Sequence, residues 1–381
     1  MGFEGTIPSQ LGNLSFLVSL DMSNNSFHGY LPTGMSHLRL LSFMALSNNN
    51  LAEEIPSWLG ALDRLQYLSM RNNSFLGDLP ANICNNLSNL KEVDMSSNQL
   101  SGEILLSDLS NCSRLESLSL SYNQFSGSIP KELGRLKMPE VLHLAVNILE
   151  GNISCPKFGV TFEVYLNEID FLHELIGLIP NEIGNLFKLE SLDLGYNRFK
   201  WFNPTNLLFS VHVLLTIYIY LGRNNFSGVI LASISNCSKL TEIYLGVNKF
   251  NGQIPNSIGI ETPRNLDLCD NCLTGSIPNT MCGLQSLEYL YLSQNQISGR
   301  IPGCFNNLKD LLEVNMSSNF LRRPLALEIG ELENLTKLDL SNDQFSGKFG
   351  IVGSIRFVYS SSLDHLFLAN NSLQGSIPDK L

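Results

Sequence analysis

The chain has 381 residues, of which 44% are hydrophobic and 15% are charged, and its net charge is −11. The apolar content is enough for a folded core and excludes an intrinsically disordered chain, while the scarcity of Lys and Arg excludes a nucleic-acid-binding protein. The longest apolar run, Leu207 to Leu221, is shorter than the roughly twenty residues that a bilayer span requires, so we predict no direct membrane insertion by this segment.

A pattern of the form LxxLxLxxN repeats along the whole chain. It appears as LVSLDMSNN at 17–25, LESLSLSYN at 115–123 and LEYLYLSQN at 287–295. In chain order, its last position is occupied by Asn25, Asn49, Asn73, Asn98, Asn123, Asn147, His173, Asn197, Asn224, Asn248, Asn271, Asn295, Asn319, Asp343 and Asn371. The mean spacing is about 25 residues, which lies within the range of leucine-rich repeats. We therefore predict that 1–381 form one domain of about 16 repeats, with partial first and last repeats.

The residue types of the repeat predict an α/β solenoid. Each repeat contributes one short strand to a continuous parallel β-sheet, and its apolar face is buried only against neighbouring repeats. A second motif follows, as in GTIPSQLGNL at 5–14 and GSIPKELGRL at 127–136. Because Pro fixes φ and lacks an N–H, this motif predicts short 3₁₀, helical or irregular segments on the convex side.

The recurring Asn, which we call the ladder position, has a structural role in this prediction. Its amide both donates and accepts hydrogen bonds, so stacked Asn side chains can bridge the backbone of successive turns. Asp343 cannot donate when it is ionised, and His173 has the wrong shape. We expect both positions to be local weak points.

Three stretches depart from the repeat, near 148–172, 198–216 and 348–362. The first loses the strand pattern, the second replaces GxIP with WFNP at 201–204, and the third adds about four residues to its interval. We interpret the first two as eroded repeats in preference to an island that contacts ligand.

The full repeat unit resembles the plant-type extracellular leucine-rich repeat. Segments such as GTIPSQLGNLSFLVSL at 5–20 and NFSGVILASISNCSKL at 225–240 are similar to ectodomains of plant receptor-like kinases and receptor-like proteins, in particular the immune pattern-recognition group. The resemblance implies a right-handed superhelix with its sheet on the concave face. It also implies a peptide or microbial ligand, a leucine-rich-repeat co-receptor kinase as partner, and a place on the extracellular side of the plasma membrane.

Both ends of the chain fall within a repeat, so we expect a fragment of a longer single-pass receptor whose kinase domain, if it has one, lies elsewhere. Two alternatives remain open. One is a secreted inhibitor of a cell-wall-degrading enzyme, of the polygalacturonase-inhibiting type. The other is a non-functional gene fragment.

No catalytic motif is found, so we predict a protein that is not an enzyme and that uses no cofactor or metal. Cys269 and Cys272 form a CxxC motif, for which a disulfide is possible. A zinc site that adds Cys282 and Cys304 is disfavoured because these two fall on the convex side of later repeats. Three further cysteines are predicted to be small buried residues, namely Cys84, Cys112 and Cys237.

Several Asn-x-Ser/Thr sequons are predicted to carry glycans on the convex side, at Asn13, Asn111, Asn236 and Asn334. Sequons at Asn24, Asn72 and Asn370 lie beside the ladder, where a glycan would crowd the rim.

The candidate ligand-binding residues are the outward positions of the strands, six and four residues before the ladder position. The first column contains Tyr218, Glu242, Asn265, Tyr289 and Glu313, and the second contains Tyr220, Tyr244, Asp267, Tyr291 and Asn315. Tyrosines interleaved with acids suit an extended peptide with basic and apolar groups. The alternative is that these Tyr side chains serve strand packing.

Overall fold

The structure is a computed structural model. It describes residues 2–80, 87–104, 112–149, 186–201, 217–260, 263–323, 332–348 and 362–374, apart from positions 131, 132, 134, 135, 137, 187, 231, 233, 235, 236 and 238. Among the described residues, no helix is both long and apolar enough to cross a bilayer.

A parallel sheet of 14 short strands forms the concave face of a solenoid. Each strand pairs with the strand of the next repeat, so that residues at the same repeat position lie side by side. The strands are β2 (Ser19–Asp21), β4 (Phe43–Ala45), β6 (Tyr67–Ser69), β8 (Glu92–Asp94), β10 (Ser117–Ser119), β12 (Val141–His143), β14 (Ser191–Asp193), β16 (Tyr218–Tyr220), β18 (Glu242–Tyr244), β20 (Asn265–Asp267), β22 (Tyr289–Tyr291), β24 (Glu313–Asn315), β26 (Lys337–Asp339) and β28 (His365–Phe367).

A second row of strands follows the ladder positions and forms three separate sheets. The first contains β1 (Glu4–Gly5), β3 (Ser26–Gly29), β5 (Asn50–Glu54), β7 (Ser74–Gly77), β9 (Gln99–Glu103), β11 (Gln124–Gly127) and β13 (Ile148–Leu149). The second contains β15 (Lys200–Trp201), β17 (Asn225–Val229), β19 (Lys249–Gln253) and β21 (Cys272–Thr274). The third contains β23 (Ser298–Gly299), β25 (Phe320–Arg323), β27 (Gln344–Lys348) and β29 (Ser372–Gln374).

The convex side carries short 3₁₀ segments, as the GxIP motif predicts. They span Ser9–Asn13, Thr33–His37, Ser57–Ala61, Asn256–Ile260, Asn279–Gly283 and Gly303–Asn307. Extended Pro residues precede the first three, at Pro8, Pro32 and Pro56. The fixed φ of Pro suits this entry into a tight turn, and its missing N–H leaves no donor unpaired there.

The core is one continuous apolar column that runs between the concave sheet and the convex segments. Stacked Leu side chains from successive strands, such as Leu266 and Leu290, are fully buried. Phenylalanines two residues beyond the ladder position also stack from repeat to repeat, as Phe199, Phe226 and Phe250 do. Every repeat therefore buries its apolar face against its neighbours, which is the cause of the elongated architecture.

The ladder asparagines bridge consecutive turns. The Asn49 side chain accepts a hydrogen bond at Oδ1 from the Phe27 N–H (3.0 Å) and donates from Nδ2 to the carbonyls of Met22 (2.9 Å) and Leu46 (3.0 Å). The same set recurs in later repeats, so the ladder satisfies backbone groups that the sharp turn would leave unpaired. The ladder residues with such bonds are Asn25, Asn49, Asn73, Asn98, Asn123, Asn147, Asn197, Asn224, Asn248, Asn271, Asn295, Asn319 and Asn371.

The solenoid passes directly from β12 to β14. The Leu149 N–H donates to Asn197 Oδ1 across 48 residues, whereas the equivalent bond from Phe125 to Asn147 spans 22. Among the described residues, β12 pairs directly with β14, and the ladder residue that follows Asn147 is Asn197, whose Nδ2 donates to the Leu144 carbonyl (3.0 Å). His173, which the sequence suggested as a ladder position between them, lies outside the described residues.

The sequence accounts for this longer connection. Joining Glu150 directly to Gly177 yields NILEGLIPNEIGNL, which is an ordinary repeat. Without residues 151–176, the separation of 48 residues becomes 22, the value of the preceding repeat. We therefore interpret 151–176 as an insertion into one repeat, in place of the eroded repeat expected near 148–172.

The other irregular stretches lie largely outside the described residues. The bond from the Phe345 N–H to Asn371 Oδ1 spans 26 residues, four more than the common 22, in keeping with the extra residues expected near 348–362. The limits of the domain and the number of repeats stay predictions.

A disulfide joins the convex segments of two successive repeats. Cys282 and Cys304 are bonded through their sulfur atoms, with their Cα atoms 5.8 Å apart. The disfavoured zinc site that included these two residues is thereby excluded. The sequence-based expectation missed the bridge because it treated convex-side cysteines as separate from one another.

The remaining cysteines differ among themselves. Cys112 is fully buried, as predicted, and it is also disulfide-bonded, which the prediction of a small buried residue did not include. Cys269 and Cys272 are thiols and do not form the disulfide that was left open. Cys237 is buried, as predicted, and Cys84 lies outside the described residues.

Candidate functional site

The ten predicted binding residues form one continuous patch on the concave face. They lie on β16, β18, β20, β22 and β24, and the pairing register places each beside its counterparts on the neighbouring strands. The first column contains Tyr218, Glu242, Asn265, Tyr289 and Glu313, and the second contains Tyr220, Tyr244, Asp267, Tyr291 and Asn315. We call these ten residues the Tyr-acid patch.

Aromatic stacking holds the N-terminal part of the patch. The rings of Tyr220 and Tyr244 are stacked with their centroids 4.8 Å apart, and the Tyr218 ring stacks on Tyr220 at 6.4 Å. The Tyr244 hydroxyl accepts a hydrogen bond from Asn265 Nδ2 (3.0 Å). The Asn265 Oδ1 atom is buried and has no hydrogen-bond partner among the described residues, so the patch contains an acceptor that lacks a donor.

Two Tyr hydroxyls of the patch donate to carboxylates of the next repeat. The Tyr220 hydroxyl donates to Glu242 Oε2, and the Tyr291 hydroxyl donates to Glu313 Oε2 at 3.1 Å. Burial, together with the facing carboxylates, raises the pKa of both Tyr side chains above the ordinary value. These hydroxyls therefore remain protonated donors, and they hold the carboxylates in fixed positions.

The negative charge of the patch that no cation offsets lies on β18 and β20, its second and third strands. Lys337 Nζ lies 3.6 Å from Glu313 Oε2 and offsets its charge. By contrast, Glu242 and Asp267 have no ion-pair partner among the described residues. The Asp267 Oδ1 atom accepts the Cys269 N–H (2.9 Å), which fixes the carboxylate without neutralising it. This side of the patch is suited to a cationic group.

The patch extends further toward the N-terminus than the sequence-based prediction placed it. Asp193 pairs with Tyr220 in the second column, and His143 pairs with Asp193 on the other side. His143 Nε2 lies 2.8 Å from Ser191 Oγ. Burial lowers the pKa of His143 and raises that of Asp193, and the attraction between the two groups opposes both shifts. The same offsets counted from Asn147 and Asn197 would have identified these residues.

The same columns carry other aromatic groups outside the patch. Phe43 and Tyr67 stack at 4.5 Å near the N-terminal end, and His365 stacks with Phe367 at 6.4 Å near the C-terminal end. Stacking alone therefore does not distinguish the patch. What does, among the described residues, is that two Tyr hydroxyls of the patch donate to carboxylates of the next repeat.

The predicted glycan sites are only partly within the described residues. Asn13 is exposed at the end of a convex 3₁₀ segment, and Asn334 is exposed with its Nδ2 donating to the Lys309 carbonyl (2.9 Å). Asn111 and Asn236 lie outside the described residues. Glycosylation at all four stays a prediction.

Comparison with known proteins agrees with this architecture. A family model described as Leucine Rich Repeat matches residues 16–38, 64–86, 89–113, 114–136, 263–284 and 286–308. Receptor-like protein 39 of Arabidopsis thaliana is 33% identical over 156 residues, which cover 40% of this chain and 17% of that protein. Receptor like protein 23 from the same plant is 29% identical over 163 residues, which cover 42% of this chain and 18% of that protein.

Two solved structures extend the likeness to nearly the whole chain. The plant peptide hormone receptor RGFR1 in complex with RGF2 superposes with a TM-score of 0.85 and 30% identity, over 99% of this chain and 55% of that one. The chain is a leucine-rich-repeat solenoid, and it is similar to plant receptor ectodomains. The Arabidopsis receptor kinase HAESA, solved with the peptide hormone IDA and the co-receptor SERK1, gives a TM-score of 0.78 and 31% identity over 99% of this chain and 62% of that one.

The leucine-rich-repeat chain thus spans less than a fifth of the receptor-like proteins that it matches and somewhat over half of each of these solved ectodomains. Within the described residues, no three or more His, Cys, Asp or Glu side chains gather in a way that could hold a metal ion. The described site offers stacked aromatic rings and carboxylates that are held in fixed positions.

Proposed function

We propose that this chain is the ligand-recognition region of a plant cell-surface receptor, and that its Tyr-acid patch binds a peptide with cationic and apolar side chains. The observation that carries the proposal is the set of stacked Tyr rings beside Glu242 and Asp267, which have no ion-pair partner among the described residues. Rings of this kind attract cations through their faces and offer apolar area at a low entropy cost. A Lys or Arg side chain placed there gains both contacts.

The location and the partner belong to the same proposal. The bridge between Cys282 and Cys304 is typical of proteins that mature in an oxidising compartment, which supports the extracellular side of the plasma membrane. HAESA was solved with a peptide hormone and a co-receptor, and RGFR1 with RGF2. We infer for this chain a peptide or protein ligand and the ectodomain of a leucine-rich-repeat co-receptor kinase.

The experiment is a binding selection with a displayed library of random linear peptides and the purified chain as bait. Peptides retained by the unmodified chain are then measured against Tyr244→Ala combined with Tyr291→Ala. Removing both rings takes away the contact surface and the donor that orients Glu313, so we expect affinity to fall at least tenfold.

Tyr67→Ala is the matched control. It removes a stacked ring from the first column but lies outside the patch. Because each stacked pair contributes roughly 0.5–1.5 kcal/mol, the control should lose stability to an extent comparable with Tyr244→Ala while keeping peptide affinity. Peptides that bind equally well to the Tyr244 and Tyr291 variant would contradict the proposal.

A further inference from the structure

The second row of strands forms one side of the solenoid, and its residues follow a regular pattern. Counted from the ladder position, the second residue is buried in the core, as Phe75 is, and the third and fifth face outward. The fourth is a Gly with positive φ in ten repeats. The fifth side chain lies over the Gly of the next repeat, so that a Cβ at Gly77 would contact Glu54 Cγ at 3.1 Å. We call the surface formed by these third to fifth residues the lateral face.

The lateral face is acidic over the first sheet of this row. Three successive repeats expose carboxylates there, at Glu53, Glu54, Asp78 and Glu103, which we call the acidic segment. The described strands of this sheet contain no Lys or Arg. None of the four carboxylates has an ion-pair partner among the described residues. Their negative charge is therefore open to a partner.

The lateral face is basic over the third sheet of the row. Arg300 and Arg322 are exposed on successive repeats, and we call them the basic segment. The same strands also contain Arg323 and Lys348, whereas no Asp or Glu occurs in the part of this sheet that the structure describes. Arg300 and Arg322 form no ion pair with any described residue. One face of the solenoid thus has opposite charges at its two ends.

Each charged segment also exposes a large apolar side chain. Leu76 is 40% exposed and lies two residues before Asp78. Phe320 is 49% exposed and lies two residues before Arg322. Protein interfaces are enriched in aromatic residues and Arg, and they combine apolar contacts with a polar rim. Both segments therefore have the composition of a contact surface.

The two segments lie at equal distances from the middle of the solenoid. The concave sheet has 14 strands, which number the repeats from 1 to 14. The acidic segment lies in repeats 2, 3 and 4, with β5, β7 and β9, and the basic segment lies in repeats 11 and 12, with β23 and β25. If two copies pair antiparallel about a two-fold axis at the midpoint, repeat 3 of one copy faces repeat 12 of the other, and repeat 4 faces repeat 11. Leu76 and Asp78 then face Phe320 and Arg322.

We propose that a second copy of this chain docks antiparallel on the lateral face, with the acidic segment of each copy against the basic segment of the other. Charge complementarity favours this arrangement, because a parallel pair would place like charges together. The two-fold axis makes the same acidic-to-basic contact form twice in each pair. This inference goes beyond the proposed function, since the lateral face is separate from the Tyr-acid patch.

The first test is sedimentation equilibrium of the purified chain. The chain is freed of glycans, because the sequon at Asn225 lies on β17, between the two segments. We expect a dimer at about 0.1 M salt and a monomer at about 1 M salt, because the screening length falls from about 10 Å to about 3 Å. Association through exposed apolar side chains elsewhere, such as Phe16, would persist at high salt.

The second test reverses the charge of one segment at a time. The two variants are Glu54→Arg with Asp78→Arg, and Arg300→Glu with Arg322→Glu. Each variant alone places like charges together at both contacts, so we expect its dimer dissociation constant to rise roughly a hundredfold. An equimolar mixture of the two variants should dimerise again, because each then presents the charges that the other lacks. Restoration by mixing is a result that misfolding cannot produce.

Asp63→Arg with Asp310→Arg is the matched control. It changes the net charge as much as the first reversal does, at exposed positions that follow convex 3₁₀ segments, and it should leave the dimer unchanged. A chain that is monomeric at about 0.1 M salt, a dimer that persists at about 1 M salt, or a mixture of the reversed variants that stays monomeric would overturn this inference. None of these results would alter the peptide binding expected at the Tyr-acid patch, so the two proposals can fail separately.

Discussion

Replacing Asp343 by Asn should stabilise the protein, because Asp343 is the one described ladder position that lacks an amide. Its Oδ1 accepts the Leu321 N–H at 2.8 Å, as a ladder Asn does. Its Oδ2 is buried without a hydrogen-bond partner among the described residues, whereas the corresponding Nδ2 of Asn319 donates to the Leu292 (2.9 Å) and Met316 (3.0 Å) carbonyls. An ionised Oδ2 therefore faces acceptors where a donor is needed.

The protonation of Asp343 determines how large the effect is at each pH. Burial raises its pKa from 3.8 to about 7, although the backbone N–H bond from Leu321 opposes the shift. The folded state therefore binds a proton more tightly than the unfolded state does. The stabilisation that this proton provides is present below pH 4 and is lost as the pH rises from about 4 to about 7.

An unsatisfied buried acceptor costs about 1–3 kcal/mol, so Asp343→Asn should raise the free energy of unfolding by that amount at pH 8. At pH 5 the protonated carboxyl can itself donate, and the gain should be smaller. Urea unfolding followed by circular dichroism at both pH values measures the difference, and hydrogen exchange at the Leu321 amide reports it locally. No gain at pH 8, or an equal gain at both pH values, would refute this account of the ladder.

Three further predictions concern the architecture. Asn295→Asp places a carboxylate in an intact ladder position, so the free energy of unfolding at pH 8 should fall by about 1–3 kcal/mol, and an unchanged urea midpoint would contradict this. Cys282→Ala with Cys304→Ala opens the bridge over 22 residues and should cost about 3 kcal/mol in the same assay; a cost below about 1 kcal/mol would show that the bridge does not constrain the unfolded chain. Deletion of 151–176 should leave one cooperative unfolding transition and the circular dichroism spectrum of a solenoid, because β12 and β14 already pair directly. Loss of the folded signal would show that the insertion is required for stacking of the repeats.

The repeat period made most of the fold predictable. Each Asn of the ladder can be located from LxxLxLxxN alone, because its role depends on backbone groups that every repeat supplies. The same counting placed a further ladder residue, His173, between Asn147 and Asn197, which follow each other directly among the described ladder residues. A period counts residues and cannot distinguish an eroded repeat from an ordinary repeat that is interrupted. The signal that could do so is the reading frame of GxIP, which resumes at Gly177.

The candidate site was predictable in position but not in extent or electrostatics. Strand alternation placed Tyr244 and Asp267 on the outer face, which follows from a side-chain period of two. It could not show that Lys337 offsets the negative charge of Glu313, or that the Glu242 carboxylate accepts a hydrogen bond from the Tyr220 hydroxyl. Those contacts depend on which rotamers the neighbouring strands permit. The bridge between Cys282 and Cys304 was missed for a related reason, since it joins positions that are adjacent only when repeats stack.

Carboxylates at different repeat positions have opposite consequences in this solenoid. In the ladder, the Asp343 carboxylate replaces an amide, lacks a partner for one oxygen and weakens the stack. In the first column, the Glu242 carboxylate receives a Tyr220 hydroxyl and faces the open concave side, so its charge is available to a ligand. Stability therefore depends on the ladder and the apolar column, which repeat almost unchanged, while the recognition that we propose depends on the residues of the Tyr-acid patch, which vary between repeats. Substitutions in the patch, such as Tyr244→Ala with Tyr291→Ala, are consequently expected to change binding without loss of the fold, so affinity and stability measured on the same variants separate the two roles.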